Sequence, residues 1–145
     1  MKAVVQRVSR ASVTVNGTGV AAIERGLLVL VAAHREDTEA DATKMADRVA
    51  KLRIFNDGEG KMNLPLVDIG GEVLAVSNFT LYGETAKNRR PSFIESAPYA
   101  EGERLFNAFV SALRQSSRVQ TGIFGADMKV ELVNDGPVTV IVETR

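Results

Sequence analysis

Two short strings place hydroxyl-bearing residues and unusual backbone at the ends of apolar runs: Ser77-Asn78-Phe79-Thr80-Leu81-Tyr82-Gly83 and Asn134-Asp135-Gly136-Pro137-Val138-Thr139. Chemistry concentrates at such places, because a rigid element aims a polar group at a cleft. Ser77 and Thr80 could line a site for a carbonyl or a ribose, or could simply cap a strand end through their own backbone. A threonine nucleophile needs an adjacent base, and nothing near Thr80 in sequence supplies one. Gly136-Pro137 reads either as a plain turn, which Asp-Gly favours, or as bare backbone offered to a ligand. Frequency alone favours a trans bond there.

Four other features carry possible chemistry. Lys87, Arg89 and Arg90 form a tight basic cluster in a polar loop, either solvated or placed on RNA phosphates. Phe124-Gly125-Ala126-Asp127-Met128 pairs two apolar groups with a glycine, as core packing or as a flat platform for a purine. His34 ends an apolar run and reads as a loop histidine without a role. Arg7 interrupts an apolar strand; it either points outward or is buried, and a buried arginine needs carbonyl or carboxylate partners.

The composition narrows what these residues can do. At 145 residues, 45% of them apolar, the chain is expected to form one globular domain over residues 1–145. No apolar run approaches the roughly 20 residues of a membrane helix. The opening residues lack a signal peptide's continuous apolar stretch, so the cytoplasm is the default compartment. Without cysteine there is no disulfide and no thiol catalysis. A single histidine leaves no Cys/His zinc site, and any Ser-His-Asp arrangement would have to use His34. Neither a metal centre nor a cofactor is indicated, and Asn56-Asp57-Gly58-Glu59-Gly60 lacks the spacing of a calcium loop. Eighteen basic and eighteen acidic residues balance, which leaves room for a local basic patch but not for a positively coated protein.

The elements that would position these residues follow from periodicity. Strands are predicted over Lys2–Ser9 and Ala11–Asn16, with a hairpin turn at Asn16-Gly17 and a return over Gly19–Glu24. Gly26–Ala33 reads as a strand buried on both faces. Thr38-Glu39-Ala40-Asp41 has capping-box form and starts an amphipathic helix with Ala42, Met45, Ala46, Val49 and Leu52 on its apolar face. Gly70-Gly71 is a turn. Glu72–Leu81 is a second buried strand that delivers the first motif. Pro98 suits the first turn of a second helix striped by Leu105, Phe106, Phe109, Val110 and Leu113. Met128–Val133 and Val138–Val142 are the last strands. The order implies an α+β layered fold.

Together the two strings resemble the signature motifs, SQFTL and NxGPVT, of the D-aminoacyl-tRNA deacylases. KAVVQRVSRASVTV, LRIFNDGEGKMN, RRPSF and FGADMKVELVNDGPVT also fit that family in order and spacing, so the resemblance spans nearly the whole chain. It implies a mixed, barrel-like sheet with two main helices, and a homodimer with sites at the subunit interface. Ser77, Asn78, Phe79 and Thr80 would line each site from one subunit. Gly136 and Pro137, in cis, would reach in from the other, tethered by Arg7. Phe124 and Met128 match positions near the terminal adenosine.

The implied activity is hydrolysis of the ester joining a D-amino acid to the tRNA 3′ end, with glycine on alanine tRNA also accepted. Chemistry would be assisted by the RNA 2′-OH. A backbone wall could exclude an L side chain while admitting hydrogen or a D side chain. The chain departs from the family at Asn78, where glutamine is usual, and at Asn88, where glycine is frequent. Competing readings are a threonine-nucleophile esterase on small D-amino acid esters and a non-catalytic RNA-binding module; the neutral net charge weighs against the latter.

Overall fold

The computed structural model describes residues 1–145. Eight strands and two helices occur, with short 3-10 turns at Leu66–Ile69 and Phe79–Tyr82. The strands are β1 (Lys2–Val15), β2 (Thr18–Ile23), β3 (Gly26–Ala32), β4 (Phe55–Asn56), β5 (Met62–Leu64), β6 (Glu72–Ser77), β7 (Arg118–Thr121) and β8 (Lys129–Glu143). Helix α1 covers Glu39–Ala50 and α2 covers Tyr99–Leu113. No helix is long and apolar enough to cross a membrane.

β1 organises the molecule. On one side it pairs antiparallel with β8 over most of its length. On the other side its first half pairs with β3 and its second half with β2. One strand thus serves two partners in succession, so the sheet must curl. β6 and β7 extend it in parallel from β3, giving the order β2-β1-β3-β6-β7. The result is the mixed, barrel-like sheet that the resemblance implied.

Both faces of β3 are covered, which is why GLLVLVA has no polar alternation. On one face Leu27, Val29 and Val73 pack with Met45, Val49, Leu105 and Phe109 of the two helices. On the other, Leu28, Leu74 and Val76 pack with Val8, Val13 and Ile23 inside the curl. Gly26 must lack a side chain, because a Cβ there would run into the Glu72 backbone. At the start of α1 the Asp41 carboxylate accepts hydrogen bonds from the Thr38 backbone N–H (2.8 Å) and hydroxyl (3.2 Å). It therefore forms the reaching-back arm of a capping box.

Several boundaries differ from the sequence reading. β1 is one strand, not two. β6 stops at Ser77, and the residues up to Leu81 leave the sheet in a 3-10 turn. Pro98 is the N-cap of α2 rather than part of its first turn, and Leu52 lies beyond the end of α1. β7 was not anticipated: only Val119 of its four residues is buried, too little for a pattern. The largest difference is at the C-terminus. Asp135-Gly136-Pro137 does not join two hairpin strands. Both flanks belong to β8 and run in the same direction along β1.

Candidate active site

The first motif is built where β6 ends. Ser77 is still paired with Val31 of β3, and the Asn78 N–H donates to the Val31 carbonyl at 2.9 Å. The chain then tightens: Leu81 N–H donates to Asn78 O and Gly83 N–H to Thr80 O, at 3.2 and 2.9 Å. This turn leaves Phe79 and Thr80 exposed at the rim of a groove of about 940 Å³. The Thr80 hydroxyl donates to Asn78 Oδ1 at 2.6 Å. An amide oxygen accepts a hydrogen bond but does not take a proton, so this partner orients the hydroxyl without activating it.

The groove floor is apolar, with Leu28, Leu30 and Val76 facing Val130 and Leu132. Phe124 and Met128 line its other side. Phe124 packs edge-on against Tyr99 (5.1 Å between ring centroids) and tilted against Phe106 (6.0 Å). Gly102 of α2 lies beneath the same ring, where a Cβ would make an ordinary contact of 3.4 Å with Phe124 Cζ. Gly125 has φ +78° beneath Tyr99 and could not carry a side chain.

The second motif is a bulge. β1 pairs Gln6 with Thr139 and Val8 with Asn134, so residues 135–138 face Arg7 alone. Arg7 is buried and points at them. Its Nε donates to the Asp135 carbonyl (2.8 Å) and lies 3.7 Å from the Asp135 carboxylate. Its Nη1 donates to the Ile54 carbonyl (2.8 Å) and to Asn56 Oδ1 (3.3 Å). Asn134 closes the bulge from the other side: its Oδ1 accepts from the Val138 N–H at 2.8 Å, and its Nδ2 donates to Gln6 Oε1 at 3.1 Å. The Gly136-Pro137 bond is cis, and Gly136 has φ +152°. A Cβ there would lie 2.5 Å from the Val138 nitrogen, so only glycine fits.

The structure therefore gathers Ser77, Asn78, Phe79, Thr80, Phe124 and Met128 around one groove. Gly136, Pro137 and Arg7 do not line it; the Gly-Pro pair stands exposed on the surface. Lys87, Arg89 and Arg90 are exposed on the loop beyond the first motif. Gln6 was not singled out from sequence, and Asn56 and Asn134 were quoted there without a role, although the three brace the bulge. Gln6 also reaches the groove.

His34, read from sequence as a loop histidine without a role, has a structural setting: the fold brings Glu95 to it, with Nε2 2.7 Å from Glu95 Oε2. Its Nδ1 accepts from the Glu36 N–H at 3.1 Å, which puts the ring proton on Nε2 as donor to Glu95. The ring packs edge-on against Tyr82, whose phenol is pushed well above its ordinary value first by burial and then by the Asp37 charge. Together with the Ala97 N–H to Ala33 carbonyl bond (3.0 Å), the pair fixes the segment carrying Ser96 and Ala97, which walls the groove. His34→Ala is expected to lower stability by about 1 kcal/mol and to leave the hydrolytic rate near wild type. A rate loss on the order of 10²-fold in a folded variant would instead make His34 an acid or base of the reaction.

Comparisons with known proteins agree on one group. The family profile described as D-Tyr-tRNA(Tyr) deacylase matches residues 4–143. A D-aminoacyl-tRNA deacylase of Geobacter sulfurreducens is 56% identical over 100% of this chain and 96% of its own length. That of Geobacter metallireducens is 57% identical, covering 99% and 96%. A solved structure titled c-Myc DNA Unwinding Element Binding Protein superposes with TM-score 0.95 at 42% identity, covering 100% of this chain and 99% of that one. A probable eukaryotic D-amino acid tRNA deacylase shares the fold with TM-score 0.83 at 19% identity, over 97% of each chain. On sequence and fold together, the chain belongs to the D-Tyr-tRNA(Tyr) deacylase family.

Proposed function

We propose that the protein hydrolyses the ester between a D-amino acid and the terminal adenosine of tRNA, releasing free D-amino acid and tRNA, and that it also clears glycine from alanine tRNA. The observation that carries this reading is the groove that joins the Asn78–Thr80 turn to the Phe124–Met128 platform. The adenine lies against Phe124 and Met128. The ester carbonyl meets the Phe79 and Thr80 N–H groups, which open the 3-10 turn and so have no partner within it. The exposed Lys87, Arg89 and Arg90 meet backbone phosphates. The protein works in the cytoplasm, beside its tRNA substrate.

The threonine-nucleophile alternative needs a base at Thr80, and the hydroxyl's partner is the Asn78 amide. The substrate offers a better group, the ribose 2′-hydroxyl adjacent to the ester. The protein then contributes orientation and fixed hydrogen bonds, and the 2′-hydroxyl assists the attacking water.

Chirality is read by backbone. The Gly136-Pro137 bulge lies outside its own groove, exposed and braced by Arg7 and Asn134. In a homodimer it enters the partner's groove as a wall on the side where an L side chain would project. Glycine has nothing to clash and passes.

The activity test is catalytic turnover with protein far below substrate. D-aminoacyl-tRNA is expected to be cleaved many times per protein molecule, and a methyl ester of the same D-amino acid is not. Stoichiometric binding without release, or equal cleavage of the small ester, contradicts the proposal.

A further inference from the structure

A second aromatic pair stands on the groove's rim, separate from the Phe124 platform. Phe79 and Phe93 meet edge-to-face with centroids 5.2 Å apart. They are 57% and 38% exposed, and both line the groove. Each ring leaves a substantial part of its apolar surface open on the rim, and Phe93 is firmly seated. Its Cε1 lies 3.0 Å from where a Gly83 Cβ would be, and Pro91 flanks it. Glu84 and Ser92 exchange two backbone hydrogen bonds of 2.8 and 3.0 Å. They close the base of the loop that carries Lys87, Arg89 and Arg90. The ring thus sits at the foot of a pinned loop whose tip is cationic.

An aromatic face beside a basic loop is the pairing that single-stranded nucleic acid requires: a base stacks on the ring and the backbone phosphate meets the charge. The Phe124 side of the groove already serves the terminal adenosine in the proposed function, on which this inference rests. We propose that Phe93, buttressed by Phe79, is the stacking platform for the nucleotide immediately 5′ to that adenosine. The ligand is a single-stranded dinucleotide end, held by two aromatic shelves that line one groove. Lys87, Arg89 and Arg90 are exposed to meet the phosphate, and stacking requires no particular base because each has a π-face.

The test compares two substrates, the D-aminoacyl 3′-ester of adenosine and the same ester of the dinucleotide CpA. The readout is the ratio of their kcat/KM values. A stacked base is worth about five- to 150-fold, so the wild-type ratio is expected to favour CpA by at least about fivefold. Phe93→Leu keeps apolar bulk over Gly83 but lacks a flat face, and should bring the ratio close to one. Phe93→Trp should preserve it. A wild-type ratio near one overturns the platform whatever the variants do. So does a Phe93→Leu ratio equal to wild type, including the case where both rates fall together. If the wild-type protein cleaves neither ester nor intact D-aminoacyl-tRNA, the proposed function itself fails. Cleavage of all three with no preference for CpA rejects the platform alone.

Discussion

A substrate whose terminal ribose lacks its 2′-hydroxyl is expected to bind the protein and to be cleaved at least about 10²-fold more slowly, the scale of losing a positioned proton-transfer group. Thr80→Ala, by contrast, should retain substantial activity. The reason is the hydrogen-bond partner. Thr80 gives its proton to the Asn78 amide oxygen at 2.6 Å, and an amide cannot carry that proton away. Losing this exposed contact costs about 1 kcal/mol of local order, not the chemical step. Single-turnover rates on both substrates with both proteins settle the matter. If the deoxy substrate is cleaved normally while a folded Thr80→Ala is inactive, the hydroxyl is a nucleophile after all.

The second large effect is expected at a residue remote from the groove. Arg7→Ala removes the donor to the buried Ile54 carbonyl and to the Asp135 carbonyl at the base of the bulge. Stability should fall by on the order of 3 kcal/mol, because buried acceptors are left without partners. Activity should fall by about 10²-fold even at temperatures where the variant is folded, since a misplaced wall of about 1 Å is costly at a reacting centre. Lysine at this position keeps the charge but not the planar fork that reaches Asp135 and Ile54 together, so Arg7→Lys should rescue little. In the homodimer proposed above, the damaged bulge would belong to the neighbour's site. Mixing Arg7→Ala chains with Phe124→Ala chains, whose own grooves are damaged, should therefore recover activity in heterodimers. No recovery after demonstrated subunit exchange would place the bulge outside the partner's groove.

Much of this arrangement was legible in the chain. GLLVLVAA announced a doubly covered strand, and the Leu105–Leu113 stripe announced the helix that covers it. Asn16-Gly17 was a turn, and both residues take positive φ. The hydroxyls of Ser77 and Thr80 at the end of an apolar run allowed a strand-end cap equally well, and only the resemblance to the deacylases marked them as a site. The bulge was not legible, because Asp-Gly-Pro is hairpin chemistry locally. Only the distant pairing of β8 with β1 reveals that the chain continues instead of reversing. Arg7 did leave a signal. In a strand, residues two apart share a face, and Ala3, Val5 and Arg7 share the face that turned out to be the core. An arginine there requires acceptors, and those at Ile54 and Asp135 are 47 and 128 residues away. The Glu95 partner of His34 is 61 residues away and was invisible for the same reason. Long-range partners are set by topology, which periodicity does not encode.

If the Gly136-Pro137 bulge is the proposed backbone wall, D and L substrates separate on one and the same RNA. The most direct measurement is the single-turnover rate of ester cleavage on one tRNA charged in parallel with D-tyrosine, L-tyrosine and glycine. Rapid cleavage of the D-tyrosyl and glycyl esters is expected, with no cleavage of the L-tyrosyl ester above its spontaneous rate. Cleavage of L-tyrosyl-tRNA at a rate comparable to the D form, or rejection of the glycyl ester along with it, would contradict a backbone wall.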